Sequence, residues 1–188
     1  MSVQGGVGVN NDGSGSLNIG LEGGKTPHTV SATAFADGIK GLGSAVVGAN
    51  VGYKHSAGHA ASITGEHFRG AGDRIHVAGS TTLLQNGDHQ LTANAFTTRN
   101  MPSNSPAFST HGGGIDYQFQ DKFKTGASMT ATPMFNEREV SLNSGVFLHK
   151  TPNSSLAVEA STTRRTGPFS TGKWDKSVNL TFRRDFKF

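Results

Sequence analysis

The chain has 188 residues, enough for one domain to bury a core, yet only 34% are hydrophobic and 26 are glycine, about twice the average glycine usage. Glycine destabilises helix interiors, so this composition disfavours a helical bundle, while the 12 phenylalanines exclude a solvating tail. The chain contains no cysteine, which excludes disulfides, thiolate metal sites and cysteine catalysis, and its formal net charge is +4.

Strand signals dominate the pattern of apolar residues. Alternate residues of a strand lie on one face, so a run in which every second residue is apolar has one apolar and one polar side. Helical spacing is not sustained over three turns without glycine or β-branched interruptions. The alternating runs, in chain order, are Leu91–Ala95, Ile115–Phe123, Val140–Leu148 and Val178–Phe188.

Turn signals separate these runs. Asn11–Gly13 and Gln85–Asp88 contain Asp-Gly and Asn-Gly, which supply the positive φ angles that tight hairpins need. Thr151–Asn153 marks a further turn, and Met101–Pro106, with two prolines, predicts a longer loop.

An internal repeat with a period of about 63–67 residues runs through the chain. His28–Phe35 resembles His89–Phe96, at the slightly shorter offset of 61 residues, and Ile115–Phe123 resembles Val178–Phe186, at an offset of 63. Each repeat holds about four strands, which favours one continuous antiparallel meander over independent domains. We therefore expect an all-β fold of about 10–12 short strands, a β-barrel or a barrel-like curved sheet, with a two-sheet sandwich as the alternative.

None of the candidate phosphate-binding, catalytic or metal-binding motifs in the sequence is complete. The run Gly167–Lys173 fits the spacing of a phosphate-binding loop, but Trp174 stands where serine or threonine would hold magnesium, so it reads as a turn between strands. Glu137 and Glu139 would share a strand face, but Arg138 between them favours a hairpin tip over a glycosidase pair. His55 and His59 would lie about 13 Å apart on one strand, too far to share a metal ion. We expect no enzyme activity, metal or cofactor.

The positive charge is concentrated at the C-terminal end. Residues 151–188 carry seven basic and three acidic residues, whereas residues 1–150 carry ten of each. A basic patch attracts the phosphates of lipids or nucleic acids; the alternative is a solvated face that aids solubility.

The ordered succession of glycine-rich motifs resembles the attacin family of insect antibacterial proteins. It covers the chain from about residue 16 to the C-terminus, with residues 1–66 as the N-terminal-like region and 67–188 as the C-terminal glycine-rich region. The motifs are Gly58–Thr64 with Phe68 and Gly70–Asp73, then Asn86–Phe96 with Arg99–Pro102, then Gly112–Tyr117 and Thr166–Phe169.

The resemblance implies an immune effector secreted into the haemolymph, which acts on Gram-negative bacteria by binding lipopolysaccharide and raising the permeability of the outer membrane. It implies no catalytic residue. Aromatic and basic residues do not interleave in a recognisable nucleic-acid-binding module, so we expect no nucleic-acid partner, and we expect no small-molecule substrate. Arginine binds phosphate bidentately, so the expected envelope-binding residues are basic, with one tryptophan. They are Arg164, Arg165, Lys173, Trp174, Lys176, Arg183, Arg184 and Lys187.

The aromatic residues of the same C-terminal segment have two possible locations. Trp174, Phe169, Phe182, Phe186 and Phe188 either enter the interface between lipid headgroup and acyl chain or fill the core of the barrel.

The sequence is also compatible with other functions. The closing run Val178–Phe188 resembles the last strand of an outer-membrane β-barrel, and a glycine-rich structural or binding protein is a further alternative. No signal peptide follows Met1, so an intracellular location is the alternative to secretion. Asn153 and Asn179 begin glycosylation tripeptides in form.

Overall fold

A computed structural model describes residues 1–9, 14–39, 45–120, 122–151, 154–168 and 170–184. Within these ranges the chain forms twelve strands and one 3₁₀ turn, Pro133–Phe135. The strands are β1 (Ser2–Val9), β2 (Gly15–Lys25), β3 (His28–Ile39), β4 (Val46–His55), β5 (His59–Phe68), β6 (Gly72–Asn86), β7 (His89–Pro102), β8 (Phe108–Phe119), β9 (Phe123–Thr132), β10 (Glu137–Thr151), β11 (Ser154–Thr166) and β12 (Trp174–Arg184).

The twelve strands form one sheet in sequence order, from β1 at one end to β12 at the other. The predicted all-β meander is therefore confirmed, and the two-sheet alternative is wrong. Among the described residues the strand order does not return from β12 to β1.

The chain divides into two compact units. Unit 1 comprises residues 1–81 and 96–110, and unit 2 comprises residues 82–95 and 111–188. The boundary expected at residues 66 and 67 between the two sequence regions stays a prediction.

In unit 1, cross-strand register sorts the side chains into an apolar and a polar face. Paired residues of antiparallel strands point to the same side of the sheet, and successive residues point to opposite sides. One row across β1–β6 is apolar, and the adjacent row is largely polar. The apolar row is Val3, Leu21, Ala32, Val51, Ile63 and Val77, and the other is Gln4, Gly20, Thr33, Asn50, Thr64 and His76.

The internal repeat is visible as a duplicated side-chain pair. In unit 1, His28 Nδ1 lies 2.7 Å from the Tyr53 hydroxyl, and the ring centroids are 6.0 Å apart. In unit 2, His89 Nδ1 lies 2.7 Å from the Tyr117 hydroxyl, again with centroids 6.0 Å apart. Equivalent positions of the repeat thus make equivalent contacts.

Two local expectations change because hairpins fold the chain back. His55 ends β4 and His59 begins β5, so the two residues pair across the hairpin with ring centroids 5.8 Å apart, and the separation of about 13 Å expected on one strand is wrong. The run Ile115–Phe123 is likewise not one strand, since Phe119 ends β8 and pairs with Phe123 at the start of β9. The turn expected at Gln85–Asp88 is confirmed between β6 and β7.

Burial is slight throughout the described residues. Apart from glycines, only Ala157 and Ser14 among them are buried, with 6% and 3% of their surface exposed. The chain is long enough to bury a core, but in this part of it the large apolar side chains stay partly or largely exposed.

Candidate functional site

The register of β8–β12 in unit 2 also defines two faces. One row consists of Ile115, Ala127, Leu142, Thr162 and Lys176, and the next consists of Asp116, Gly126, Asn143, Ser161 and Ser177. We call the side that carries the first row the apolar face of β8–β12, and the other side its polar face.

Aliphatic and aromatic side chains cover the apolar face. They are exposed most at the end strand of the sheet, where Val178, Leu180 and Phe182 keep 73%, 69% and 65% of their surface accessible. An exposed apolar patch of this kind is usual at sites of protein or membrane contact. Other exposed members are Ile115, Met129, Val140, Leu142 and Val146.

The polar face is held by hydrogen bonds and ion pairs. Arg165 Nη2 lies 2.6 Å from Glu139 Oε2, and this hydrogen bond, together with the charge of the carboxylate, raises the pKa of Arg165 above its ordinary value. Lys124 forms an ion pair with Glu159 on the same face. The Ser161 hydroxyl lies 2.7 Å from that of Ser177.

Charge is segregated between the two faces. Among the described residues of β8–β12, every carboxylate belongs to the polar face, namely Asp116, Glu137, Glu139, Glu159 and Asp175. Arg138, Arg164 and Lys176 belong to the apolar face. The apolar face therefore carries positive charge without negative charge, an arrangement that favours anionic ligands.

Arg164, Trp174 and Lys176 form what we call the cationic cluster. Arg164 Nε donates a hydrogen bond of 2.9 Å to the carbonyl oxygen of Gly172, and its guanidinium lies 5.9 Å from the centre of the Trp174 ring. Trp174 pairs with Arg164 across the strands, and Lys176 follows on the same face of β12. The hydrogen bond and the ring thus position the guanidinium on the apolar face.

A groove of about 580 Å³ lies in unit 2 beside the cationic cluster. Its lining includes Leu91, Ile115, Leu142 and Val178, with Lys176 at one side. Volumes of about 300–1,000 Å³ are typical of small-molecule sites.

The structure separates the predicted envelope-binding residues. Arg164, Trp174 and Lys176 come together, whereas Arg165 points to the opposite face and Lys173 lies in the loop before β12. Arg183 and Arg184 are the last two residues of β12, and their backbone pairs with Ser155 and Ser154 of β11. Lys187 lies outside the described residues.

The aromatic residues divide in the same way. Trp174 and Phe182 are 44% and 65% exposed, so they do not fill a core. Phe169, Phe186 and Phe188 lie outside the described residues, as do Asn153 and the predicted turn at Asn11–Gly13.

Arg138 was missed by reasoning from the sequence. It has the parity of Val140 and Leu142, and that signal could have placed it on the apolar face. Sequence reasoning grouped basic residues by position in the chain rather than by strand face.

The part of the chain that the structure describes gives little support to a metal site, a glycosidase pair or a phosphate-binding loop. It contains no group of three or more histidine or acidic residues placed to hold a metal ion. Glu137 and Glu139 share a face, as expected, but the carboxylate of Glu139 forms an ion pair with Arg165. The Gly167–Lys173 segment connects β11 to β12, as expected of a turn. Among the described residues there is no helix long and apolar enough to cross a lipid bilayer.

The fold defines a class of proteins first: antiparallel sheets whose strands follow one another in chain order. A solved anion-selective porin from Comamonas acidovorans resembles the chain with a TM-score of 0.67 and 12% identity, over 91% of this chain and 59% of that one. This chain thus spans about three fifths of the porin's length, and the likeness shows the fold alone.

Sequence comparison then gives the family. The model of the attacin C-terminal region matches residues 69–186. Defense protein 3 of Lonomia obliqua is 36% identical over 98% of this chain and 80% of that protein. Attacin-E of Hyalophora cecropia is 34% identical over 95% and 81%, and the attacin of Bombyx mori is 32% identical over 95% and 85%. The chain belongs to the attacin family and is an antibacterial defence protein.

Proposed function

We propose that this chain acts as a secreted effector on Gram-negative bacteria, by binding lipopolysaccharide and disturbing the outer membrane. The observation that carries the proposal is the segregation of charge on β8–β12, where the described acids lie on one face and Arg138, Arg164 and Lys176 lie on the other. The proposed action is binding, and it requires neither a catalytic group nor a cofactor.

The chemistry of the cationic cluster suits the surface of a phosphorylated lipid. A guanidinium presents a planar fork that binds phosphate bidentately, and Arg164 is exposed. Trp174, 44% exposed beside it, has an apolar ring and a polar N–H, the combination that places tryptophan at the boundary between headgroup and acyl chain. The aliphatic side chains of β12 would then contact the acyl region.

Purified chain is expected to stop the growth of a Gram-negative bacterium at concentrations that leave a Gram-positive bacterium unaffected, because only the former presents lipopolysaccharide. The measurement is growth in liquid culture over a dilution series, with circular dichroism to confirm that the chain is folded. A Gram-negative mutant with altered lipid A phosphates is expected to be less sensitive. Equal sensitivity of all three strains would contradict the proposal.

A second candidate, a resident outer-membrane β-barrel protein, is favoured by one observation. The exposed apolar face and the polar opposite face of β8–β12 match the alternation of strands that face lipid on one side. A resident membrane protein requires detergent to remain in solution. Recovery of monodisperse protein without detergent would therefore exclude this candidate.

A further inference from the structure

The lining of the groove in unit 2 combines small and bulky apolar side chains. Ala127 and Ala160 are small, whereas Ile115, Leu142 and Val178 are larger, and all five lie on the apolar face of β8–β12. The bulky side chains can contact a hydrocarbon chain, and the small ones leave space for it. A groove of about 580 Å³ with this lining is suited to an apolar ligand.

One end of the groove is polar and cationic. Lys176 pairs with Thr162 across the strands, and both line the groove, while Arg164 and Trp174 form the next pair along. Among the described residues Thr162 Oγ1 is buried and has no hydrogen-bond partner, a condition that folded proteins usually avoid. Lys176 and Thr162 thus make this end of the groove its polar end.

We propose that the groove binds one acyl chain of the phosphorylated glycolipid of the bacterial outer leaflet, with the anionic headgroup at Lys176. The inference rests on the proposed function, since it names the part of the envelope lipid that this face holds. The aliphatic lining residues contact the acyl chain, and Lys176 at the positive end determines the direction in which the acyl chain lies. No described acid on this face opposes an anionic head.

The test uses the intrinsic fluorescence of Trp174, the one tryptophan of the chain. The probes are 2-bromododecanoate and 12-bromododecanoate at concentrations where both are monomeric, since bromine quenches tryptophan on contact. Both probes are expected to bind saturably with similar affinity. Quenching is expected to be stronger with the 2-bromo probe, whose bromine lies beside the carboxylate and hence near Lys176 and Trp174.

Shortening the acyl chain of the probe supplies a second readout. Each buried methylene contributes about fourfold to binding when it is fully removed from water, so 2-bromodecanoate is expected to bind several-fold more weakly. The short 2-bromobutanoate is expected to give only non-saturable quenching. Saturable binding of the short probe with the same affinity would show an anion site without an acyl groove and overturn the proposal.

Filling the groove provides the matched variants. Ala160→Phe adds a ring at an exposed lining position of the groove and is expected to weaken probe binding at least tenfold. Thr181→Phe adds a ring to an exposed position on the polar face of β12 and is expected to leave binding unchanged. Probe affinity that falls as protein concentration rises would show that a second copy of the chain covers the groove, which would also overturn the proposal.

The groove and the proposed function can fail separately. Lipopolysaccharide is expected to displace the 2-bromo probe, whereas its deacylated form is not. Ala160→Phe is expected to keep the salt-sensitive part of lipopolysaccharide binding, because Arg164 and Lys176 remain. If the probes do not bind and lipopolysaccharide binds as before, the groove assignment is wrong and the proposed function stands.

Discussion

Replacement of Arg164 and Lys176 together by glutamine is expected to weaken the binding of the chain to lipopolysaccharide-containing vesicles about thirtyfold at low salt. Each cation near an anionic lipid surface contributes about 1 kcal/mol, so the loss of two corresponds to about 2 kcal/mol. The difference is expected to shrink as salt rises, because the interaction is screened within a Debye length. Vesicle cosedimentation over a series of salt concentrations measures both effects.

The matched control removes the same amount of charge from the other face. Lys124 and Arg165 lie on the polar face in ion pairs with Glu159 and Glu139, so their replacement by glutamine lowers the net charge equally. Exposed ion pairs contribute little to stability, so this variant is expected to fold and to bind vesicles nearly as the unmodified chain does. An equal loss of binding in both double variants would show that net charge alone attracts the chain, and would refute the role of the apolar face.

Substitution of Gly72 by alanine is expected to reduce the free energy of unfolding by more than about 3 kcal/mol, which is in the tail of single-substitution effects. Gly72 has φ of +121°, a backbone conformation that side chains rarely adopt. A Cβ there would lie 2.2 Å from the carbonyl oxygen of Met101 and 2.7 Å from the Cα of Pro102. Both atoms belong to backbone that cannot move independently, since the amide of Ser103 donates a 2.9 Å hydrogen bond to the carbonyl of Ala71.

Gly70, in the turn just before Gly72, is the control. Its φ of +76° also favours glycine, but nothing lies within 4 Å of a Cβ added there. Gly70→Ala is therefore expected to cost only about 1–2 kcal/mol, from backbone strain without a clash. Urea unfolding followed by circular dichroism measures both variants. Equal stability of the two would show that the approach of Met101 to Gly72 does not constrain the fold.

The strands themselves were largely predictable from the sequence. Period-two alternation and the Asn86-Gly87 turn are local signals, and both agree with the structure. The repeat was also readable, since it placed His28 and His89 at equivalent positions. The local pattern did not predict hairpins that interrupt an alternating run, such as the one between Phe119 and Phe123. A hairpin with few turn residues leaves almost no mark on alternation.

The candidate site was harder to predict, because it depends on which strands pair. Arg164 and Arg165 are neighbours in the chain and must point to opposite faces of a strand. Which one meets an acid is decided by β10, where Glu139 lies 26 residues from Arg165 in sequence. The groove draws on residues from Leu91 to Val178, so no single segment could indicate it. Parity along β10–β12 would nevertheless have separated the two arginines from the sequence.

The uptake of an apolar fluorescent dye by intact Gram-negative cells tests the central claim most directly, because the dye enters only when the outer membrane is disturbed. We expect dose-dependent uptake with the unmodified chain and with the variant lacking Lys124 and Arg165. We expect little uptake with the variant lacking Arg164 and Lys176. Growth inhibition without dye uptake, or equal uptake with both variants, would contradict an action on the outer membrane through the apolar face of β8–β12.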